Sequence, residues 1–173
     1  DRIEVIRGPG AAVWGANAVN GVINIITKKA ADTQGALVSA GGGTCEHGFV
    51  GARYGGKINE DTAYRFYAKG FTRNQMKSPS GEPANDAWHS ARGGFRLDHQ
   101  RGIDQMTVQG DIFYDAMGNA LDKSQLSAPV IQADAARGHN EGGNIRFRWD
   151  RTFSDQSAIM LQTYYDRVDY QLS

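Results

Sequence analysis

Four histidines are the first residues to consider for metal binding or proton transfer: His47, His89, His99 and His139. They are spread through turn-like and strand-end sequence, and no two of them have the i, i+4 or Glu-x-x-His spacing that places two ligands side by side. The single Cys45 has no Cys or His pattern around it, so neither a structural metal site nor an internal disulfide is indicated. We predict no metal site and no cofactor.

Nucleophilic and acid-base chemistry find no support either. Ser78, Ser80 and Ser124 lie in loop-like sequence beside Pro, Gly or Lys, and no Gly-x-Ser-x-Gly elbow is present. The Asp and Glu residues stand next to basic residues on predicted strands more often than next to each other, so paired carboxylates are not indicated. We predict that the protein is not an enzyme.

The glycines near the start of the chain could belong to a phosphate-binding loop, but no Lys-Ser/Thr follows them and no helix begins there. Apolar residues typical of strands flank them instead, and Gly8-Pro9-Gly10 combines a fixed φ with residues free to adopt positive φ. We predict a tight strand-turn-strand segment, with positive φ at one or more of Gly8, Gly10 and Gly15.

Composition limits the possible classes of protein. The 173 residues carry 19 basic and 19 acidic side chains, and this balance argues against a partner recognised through a basic field, such as nucleic acid. Mean hydropathy is −0.52, and no run approaches the roughly 20 apolar residues of a membrane helix. Because the chain does not begin with Met and shows no signal peptide, we expect it to be an internal piece of a longer protein.

From about residue 35 onward, apolar and polar residues alternate with the period of two that is typical of β-strands. The predicted strands cover residues 35–43, 47–57, 62–73, 89–100, 105–115, 142–153 and 157–169. Short polar turns at 59–61, 101–104 and 154–156 alternate with long polar connections at 74–88 and 116–140. We predict an antiparallel meander, because each strand is joined to the next by a turn or loop.

One face of the predicted sheet carries more charge than a dry core could hold. Its residues are Arg65, Lys69, Arg92, Arg96, Arg146 and Arg148, with Asp98, Asp111, Asp150 and Asp166. Such a face suits the water-filled interior of a membrane barrel, whose outer face is apolar and whose loops are long on one side only. The alternative is a soluble sheet with one solvated face. Aromatic residues near strand ends fit a membrane interface: Phe71, Trp88, Tyr114, Phe153, Tyr165 and Tyr170.

The first 28 residues resemble the end of the plug domain of TonB-dependent outer-membrane receptors. In that family an I-E-R-I-E-V-(I/V)-R-G-P segment leads to a Y/W-G-x-x-A-x-x-G-V-(I/V)-N-I-I-T segment. The matching residues here are Ile3-Glu4-Val5-Ile6-Arg7-Gly8-Pro9 and Trp14-Gly15-Ala16-Asn17-Ala18-Val19-Asn20-Gly21-Val22-Ile23-Asn24-Ile25-Ile26-Thr27. The positions that carry the plug motif are Arg7, Gly8, Pro9, Gly15, Asn17, Gly21 and Asn24. The resemblance implies that Arg7 bonds the plug to carboxylates of the barrel wall.

The resemblance also implies the architecture and the partners. Residues 1–29 would be the end of the plug, and 30–173 about seven N-terminal strands of a 22-stranded transmembrane β-barrel in the bacterial outer membrane. The whole protein would bind outer-membrane lipid and a scarce nutrient, with a ferric siderophore preferred over haem or cobalamin. It would contact the TonB complex through a missing N-terminal segment. The alternatives are a passive porin-like channel and a soluble all-β binding module.

Two long connections would then emerge outside the cell and meet the ligand first. Their candidate ligand-binding residues are Lys77, Asn85, Asp86, Trp88, Asp122, Lys123 and Gln125, and the alternative is that these are solvated loop residues.

Overall fold

The computed structural model describes residues 2–10, 12, 18–77, 81, 83–124 and 131–172 of the chain. Two antiparallel sheets are formed. The first is a hairpin of β1 (Arg2–Arg7) and β2 (Gly21–Ile26). The second has seven strands: β3 (Gly35–Gly41), β4 (Glu46–Asn59), β5 (Thr62–Arg73), β6 (Trp88–Arg101), β7 (Asp104–Ser124), β8 (Ile131–Ser154) and β9 (Ser157–Leu172).

Strand order in the larger sheet follows sequence order, and every neighbouring pair is antiparallel. This confirms the predicted meander. Residues that are cross-strand partners lie on the same face of the sheet, so the register can be followed from β4 to β8. One such row joins Tyr54, Phe66, Phe95, Gly110 and Ile145, and this row is apolar, as the alternation of the sequence predicted.

The turn that follows β1 needs glycine. Gly8 has φ 93°, and its N–H donates to the carbonyl of Asn20 at 3.3 Å. The N–H of Gly10 donates to the carbonyl of Ala18 at 2.9 Å. Gly21 begins β2 with φ 151°, and a Cβ there would lie 2.7 Å from the carbonyl oxygen of Ile6. The predicted strand-turn-strand segment is confirmed, with its positive φ at Gly8, whereas Gly15 lies outside the described residues.

The connections of the meander differ between the two ends of the sheet. At one end, β4–β5, β6–β7 and β8–β9 are joined by the two-residue turns 60–61, 102–103 and 155–156. We call this the short-turn end. At the opposite end lie the connections 42–45 and 74–87, and there β7 ends at Ser124 and β8 begins at Ile131. The predicted irregular loop 116–140 is wrong, because β7 continues to Ser124 and pairs in register with β8 from Ile131 onward.

The two faces of the seven-stranded sheet differ in character, as predicted. The apolar face exposes large side chains to the surroundings, with Phe66 55% and Ile112 70% exposed. The polar face carries the charged residues named above, together with Tyr67 and Gln109. Three of the aromatic residues assigned to a membrane interface, Phe71, Trp88 and Tyr170, lie on the polar face instead. Their cross-strand partners on that face are Phe49, Arg73 and Asn140, respectively.

A single sheet without a second layer has little core. Among the described residues no large side chain is fully buried, and the buried ones are Ala18, Ala30, Thr33, Ala63, Thr107 and Asp115. Four of these, Ala30, Thr33, Ala63 and Thr107, lie where the segment between the two sheets crosses the polar face. No helix of the described chain is long and apolar enough to span a membrane.

Candidate functional site

The segment that connects the two sheets lies on the polar face of the larger sheet. We call residues 27–34 the linker. It contains a single 3-10 turn, Ala31–Thr33, closed by the N–H of Thr33 donating to the carbonyl of Ala30 at 3.1 Å. Ala30 is 0% and Thr33 4% exposed, so the sheet covers this part of the linker almost completely.

Asp98 on β6 is the central acceptor of the linker contact. Its carboxylate accepts the backbone N–H of Ala30 at 2.7 Å and the hydroxyl of Thr107 at 2.8 Å. The guanidinium Nε of Arg96 donates to both of its oxygens, at 3.0 and 2.9 Å. The side chains of Arg96 and Asp98 are only 11% and 12% exposed. A charge-assisted network of this kind, shielded from water, holds its members in one geometry.

Two arginines extend the contact along the linker. Arg96 also donates through Nη1 to the hydroxyl of Thr27 at 3.0 Å. Arg65 on β5 donates through Nη1 to the carbonyl of Lys28 at 3.0 Å and to the hydroxyl of Thr33 at 3.3 Å. Arg65 and Arg96 are direct cross-strand partners, so their two positive charges are adjacent on one face. Linker oxygens and Asp98 provide the acceptors that such a pair requires.

Gly55 on β4 allows the linker to approach the sheet. A Cβ at this position would clash with the carbonyl oxygen of Thr33 and would lie 3.3 Å from the Cα of Gln34. Any side chain larger than hydrogen would therefore push the linker away from the strand. We call Arg65, Arg96, Asp98 and Thr107, together with Gly55, the linker clamp.

Those predicted plug-motif residues that the structure describes lie in the hairpin rather than in the clamp. Arg7 is exposed and pairs with Gly21 on the strand ladder, and no salt bridge between described residues includes it. Asn24 donates to the carboxylate of Glu4 at 2.9 Å, and Arg2 donates to the same carboxylate at 2.6 Å. These hydrogen bonds, that from Arg2 first, lower the pKa of Glu4. Pro9 is exposed, and Gly15 and Asn17 lie outside the described residues.

The structure brings four of the seven predicted ligand-contact residues together in the connection 74–87 and at the start of β6. Lys77 forms an isolated bridge with Pro83, and Asn85 has a left-handed φ of 56°. The carboxylate of Asp86 accepts the backbone N–H of Met76 at 2.7 Å. Asp86 therefore stabilises the fold of this connection.

Trp88, the fourth residue of that group, is fixed by neighbours on the polar face. Its ring meets that of Phe71 edge-on at 5.0 Å, and the Arg73 guanidinium carbon lies 5.1 Å from its ring centroid. The remaining three candidates belong to the β7–β8 connection. Asp122 and Lys123 have backbone positions on β7, paired with Ala133 and Gln132, and Gln125 lies outside the described residues.

Sequence reasoning placed Arg65, Arg96 and Asp98 on the polar face but did not identify the linker as their partner. The signal that could have found it is the concentration of charged residues on two adjacent strands, β5 and β6, beside Gly55 on the neighbouring strand β4, where the missing side chain leaves room. Among the described residues, no group of three or more His, Cys, Asp or Glu side chains could hold a metal ion. Cys45 is exposed and unpaired.

Comparison with known proteins gives several relatives, although no family model matches the chain. The vitamin B12 transporter BtuB of Vibrio cholerae is 45% identical over 60 residues, which are 35% of this chain and 10% of the relative. The ferric enterobactin receptor of Pseudomonas aeruginosa is 45% identical over 74 residues, covering 39% of this chain and 10% of the receptor. A vitamin B12 transporter BtuB of Vibrio vulnificus is 29% identical over 155 residues, 85% of this chain and 22% of the transporter.

The chain thus spans less than a quarter of the length of each of these relatives. The relatives are transport receptors and not enzymes, in agreement with the lack of a catalytic pattern in the sequence. Over part of its length, this chain is homologous to TonB-dependent receptors, whose members are outer-membrane proteins.

Proposed function

We propose that this chain is part of a TonB-dependent outer-membrane receptor that imports a scarce nutrient. The observation that carries the proposal is the difference in chemical character between the two faces of the sheet. The polar face holds a segment of the same chain through partly buried charged groups, while the opposite face exposes rows of apolar side chains. A wall that binds peptide on one side and lipid on the other has this distribution.

The same observation supports dividing the chain near the linker. Residues 1–29 would form the end of a plug, and residues 30–173 the first seven strands of a 22-stranded barrel. In the hairpin, Ile3 pairs with Ile25 and Val5 with Ile23, and all four are at least 64% exposed. An apolar hairpin face of this kind requires cover, which the rest of a plug domain would provide.

The ligand that we propose to test first is a ferric siderophore, with haem and cobalamin as the other candidates. Relatives named for vitamin B12 and for ferric enterobactin match this chain with equal identity over short segments, 45% in both cases. Similarity to this chain is therefore shared by receptors that are named for different ligands. The partners of the whole protein would be the TonB complex, the nutrient and outer-membrane lipid.

An uptake measurement tests the proposal. The full-length protein would be produced in a bacterium that lacks its own receptors, in strains with and without TonB. Radiolabelled ferric enterobactin, haem and cyanocobalamin would be offered separately at low concentration. We expect saturable accumulation of one of them that requires both the protein and TonB.

Two alternatives give different results in the same cells. A passive porin-like channel would admit small solutes without TonB and without saturation at low concentration. A soluble all-β binding module would be recovered in the soluble fraction without detergent. Either result would overturn the proposal.

A further inference from the structure

Four strands of the polar face each contribute an arginine to a strip that runs from β4 to β8 beside the linker. Arg65 on β5 and Arg96 on β6 are cross-strand partners, and Gln109 on β7 pairs with both Arg96 and Arg146 on β8. Arg53 lies on the same face of β4, two residues before the partner of Arg65. We call Arg53, Arg65, Arg96 and Arg146 the basic strip.

The acidic residues near the strip do not neutralise it. Asp98 is engaged by Arg96, and Asp111 accepts a hydrogen bond from the hydroxyl of Tyr67. Among the salt bridges between described residues, none includes Arg53, Arg65 or Arg146. Only one of the four arginines therefore has a carboxylate partner in the described chain.

Two members of the strip also have buried donors without an acceptor. The Nε atoms of Arg53 and Arg146 are shielded from solvent and have no hydrogen-bond partner among the described residues. A guanidinium always carries its charge, and taking it from water without an acceptor is unfavourable. Adjacent like charges on one face of a sheet add to that cost. Anionic acceptors placed against this surface would therefore stabilise it.

We propose that the basic strip binds carboxylates of the polypeptide that precedes residue 27 in the same protein. The linker brings that polypeptide close to this face, because hydrogen bonds to Asp98 and Arg65 hold the linker directly beside the strip. Tethering of this kind gives the preceding segment a high effective concentration at the strip. Arg65 already donates a hydrogen bond to the main-chain carbonyl of Lys28 in the linker, so this face binds peptide in the structure.

Carboxylates are the acceptors that match this strip within a polypeptide. A planar guanidinium can donate two parallel hydrogen bonds to a carboxylate, which satisfies its charge and its donors together. This inference rests on the proposed function, in which a plug fills the barrel. It goes beyond that function by assigning the plug's acidic groups to Arg53 and Arg146 on the wall.

Zero-length cross-linking of the full-length protein in native outer membranes tests this interaction. Arg146→Lys and, separately, Arg53→Lys place an amine where the guanidinium lies. A carbodiimide would then join that amine to a carboxylate in contact with it, forming an amide with loss of water. Arg148→Lys is the matched control on the same face, because Arg148 lies 2.7 Å from its own partner Asp150 and should give a cross-link between residues 148 and 150.

We expect mass spectrometry to show an amide between residue 146 or 53 and an acidic residue N-terminal to residue 27, at several-fold higher yield than any background in the wild type. A cross-link from both positions to wall carboxylates only would overturn the inference. So would no cross-link at either position in a preparation where Arg148→Lys gives its own. TonB-dependent uptake by the wild-type protein is measured in parallel, so that a failed cross-link with intact uptake removes this inference while leaving the proposed function standing.

Discussion

The carboxylate of Asp98 accepts the backbone N–H of Ala30 at 2.7 Å, across 68 residues of sequence. This bond joins the segment leaving the hairpin to the fourth strand of the larger sheet. Because Asp98 also accepts hydrogen bonds from Arg96 and Thr107, the linker is bonded to a carboxylate that two further side chains hold in place. The position where the chain enters the sheet is therefore set by side chains far along the sequence.

Replacing Asp98 by Asn should release the linker from the wall. The substitution removes the charge that binds Arg96 and weakens the hydrogen bond from Ala30. Linker attachment should become less favourable by about 2 kcal/mol, which raises the detached fraction roughly 30-fold. A spin label attached at Asp32→Cys, an exposed position, in a Cys45→Ser background would report this as faster motion in the full-length protein. Asp150→Asn is the control, because Asp150 bonds Arg148 and not the linker. Equal label motion in the two variants would contradict the assigned role of Asp98.

Adding a methyl group at Gly55 should displace the linker by steric conflict. The new Cβ would clash with the carbonyl of Thr33, and overpacking of this kind costs about 1–3 kcal/mol. Gly70→Ala is the matched control, since a Cβ there would meet nothing closer than the carbonyl oxygen of Ser90 at 3.5 Å. The unfolding temperature of the full-length protein in detergent, followed by circular dichroism, should fall for Gly55→Ala and stay unchanged for Gly70→Ala. A fall of the same size in both would show that the linker contact is not the cause.

The strands were predictable from sequence wherever apolar and polar residues alternate. The predicted strand 62–73 coincides with β5, because Tyr64, Phe66 and Ala68 alternate with Arg65 and Tyr67. The pattern fails beyond residue 115, where Ala, Gly and polar residues dominate both strands. There β7 and β8 continue as a paired ribbon, since backbone hydrogen bonds between two strands do not require an apolar face.

The linker clamp was harder to predict because its members are distant in sequence. A period-two pattern assigns Asp98 to a face, but it says nothing about which segment covers that face. Only the register, which places Asp98 beside Ala63 and Thr107, shows where the linker fits. The same limit applies to Trp88, whose interaction with Arg73 depends on direct cross-strand pairing.

Removal of the Asn24 side chain should raise the pKa of Glu4 toward its ordinary value. The hydrogen bond from Arg2 contributes most to the lowered pKa, and that from Asn24 comes second, so Asn24→Ala should reverse part of the shift and Arg2→Ala more of it. Because the folded pKa is depressed, the contribution of Glu4 to hairpin stability is present above its unfolded pKa and is lost as pH falls through the folded value. Titration of the Glu4 carboxyl carbon by NMR, with the full-length protein labelled at glutamate, would measure both shifts. An unchanged midpoint in Asn24→Ala would show that its bond to Glu4 is not maintained in solution.

Substitutions at Asp86 should separate a structural role from ligand contact. Asn keeps an acceptor for the N–H of Met76, whereas Ala removes it and costs about 1 kcal/mol of local stability. We expect the connection 74–87 to be cleaved faster by added protease in Asp86→Ala than in Asp86→Asn or the wild type. Ligand affinity measured on the same proteins completes the test. Weaker binding by Asp86→Asn with unchanged cleavage would instead assign Asp86 to the ligand through its charge.

The native Cys45 provides a direct test of which end of the sheet lies outside the cell. It is exposed and lies in the connection 42–45, at the same end as the connection 74–87, and its carbonyl accepts the N–H of Asn74 at 3.0 Å. The linker lies at the short-turn end, where the chain arrives from the proposed plug.

If that end faces the periplasm, Cys45 and a cysteine at Lys77→Cys must both face the outside. Intact cells carrying the full-length protein would be treated with a membrane-impermeant thiol reagent. Lys77→Cys and the periplasmic control Asp155→Cys are each made in a Cys45→Ser background, and Cys45→Ser alone is the background control. We expect labelling at 45 and 77 on intact cells and labelling at 155 only after the outer membrane is opened. The reverse pattern would invert the orientation and place the connection 74–87, with Lys77, Asn85 and Asp86, out of reach of a nutrient arriving from outside.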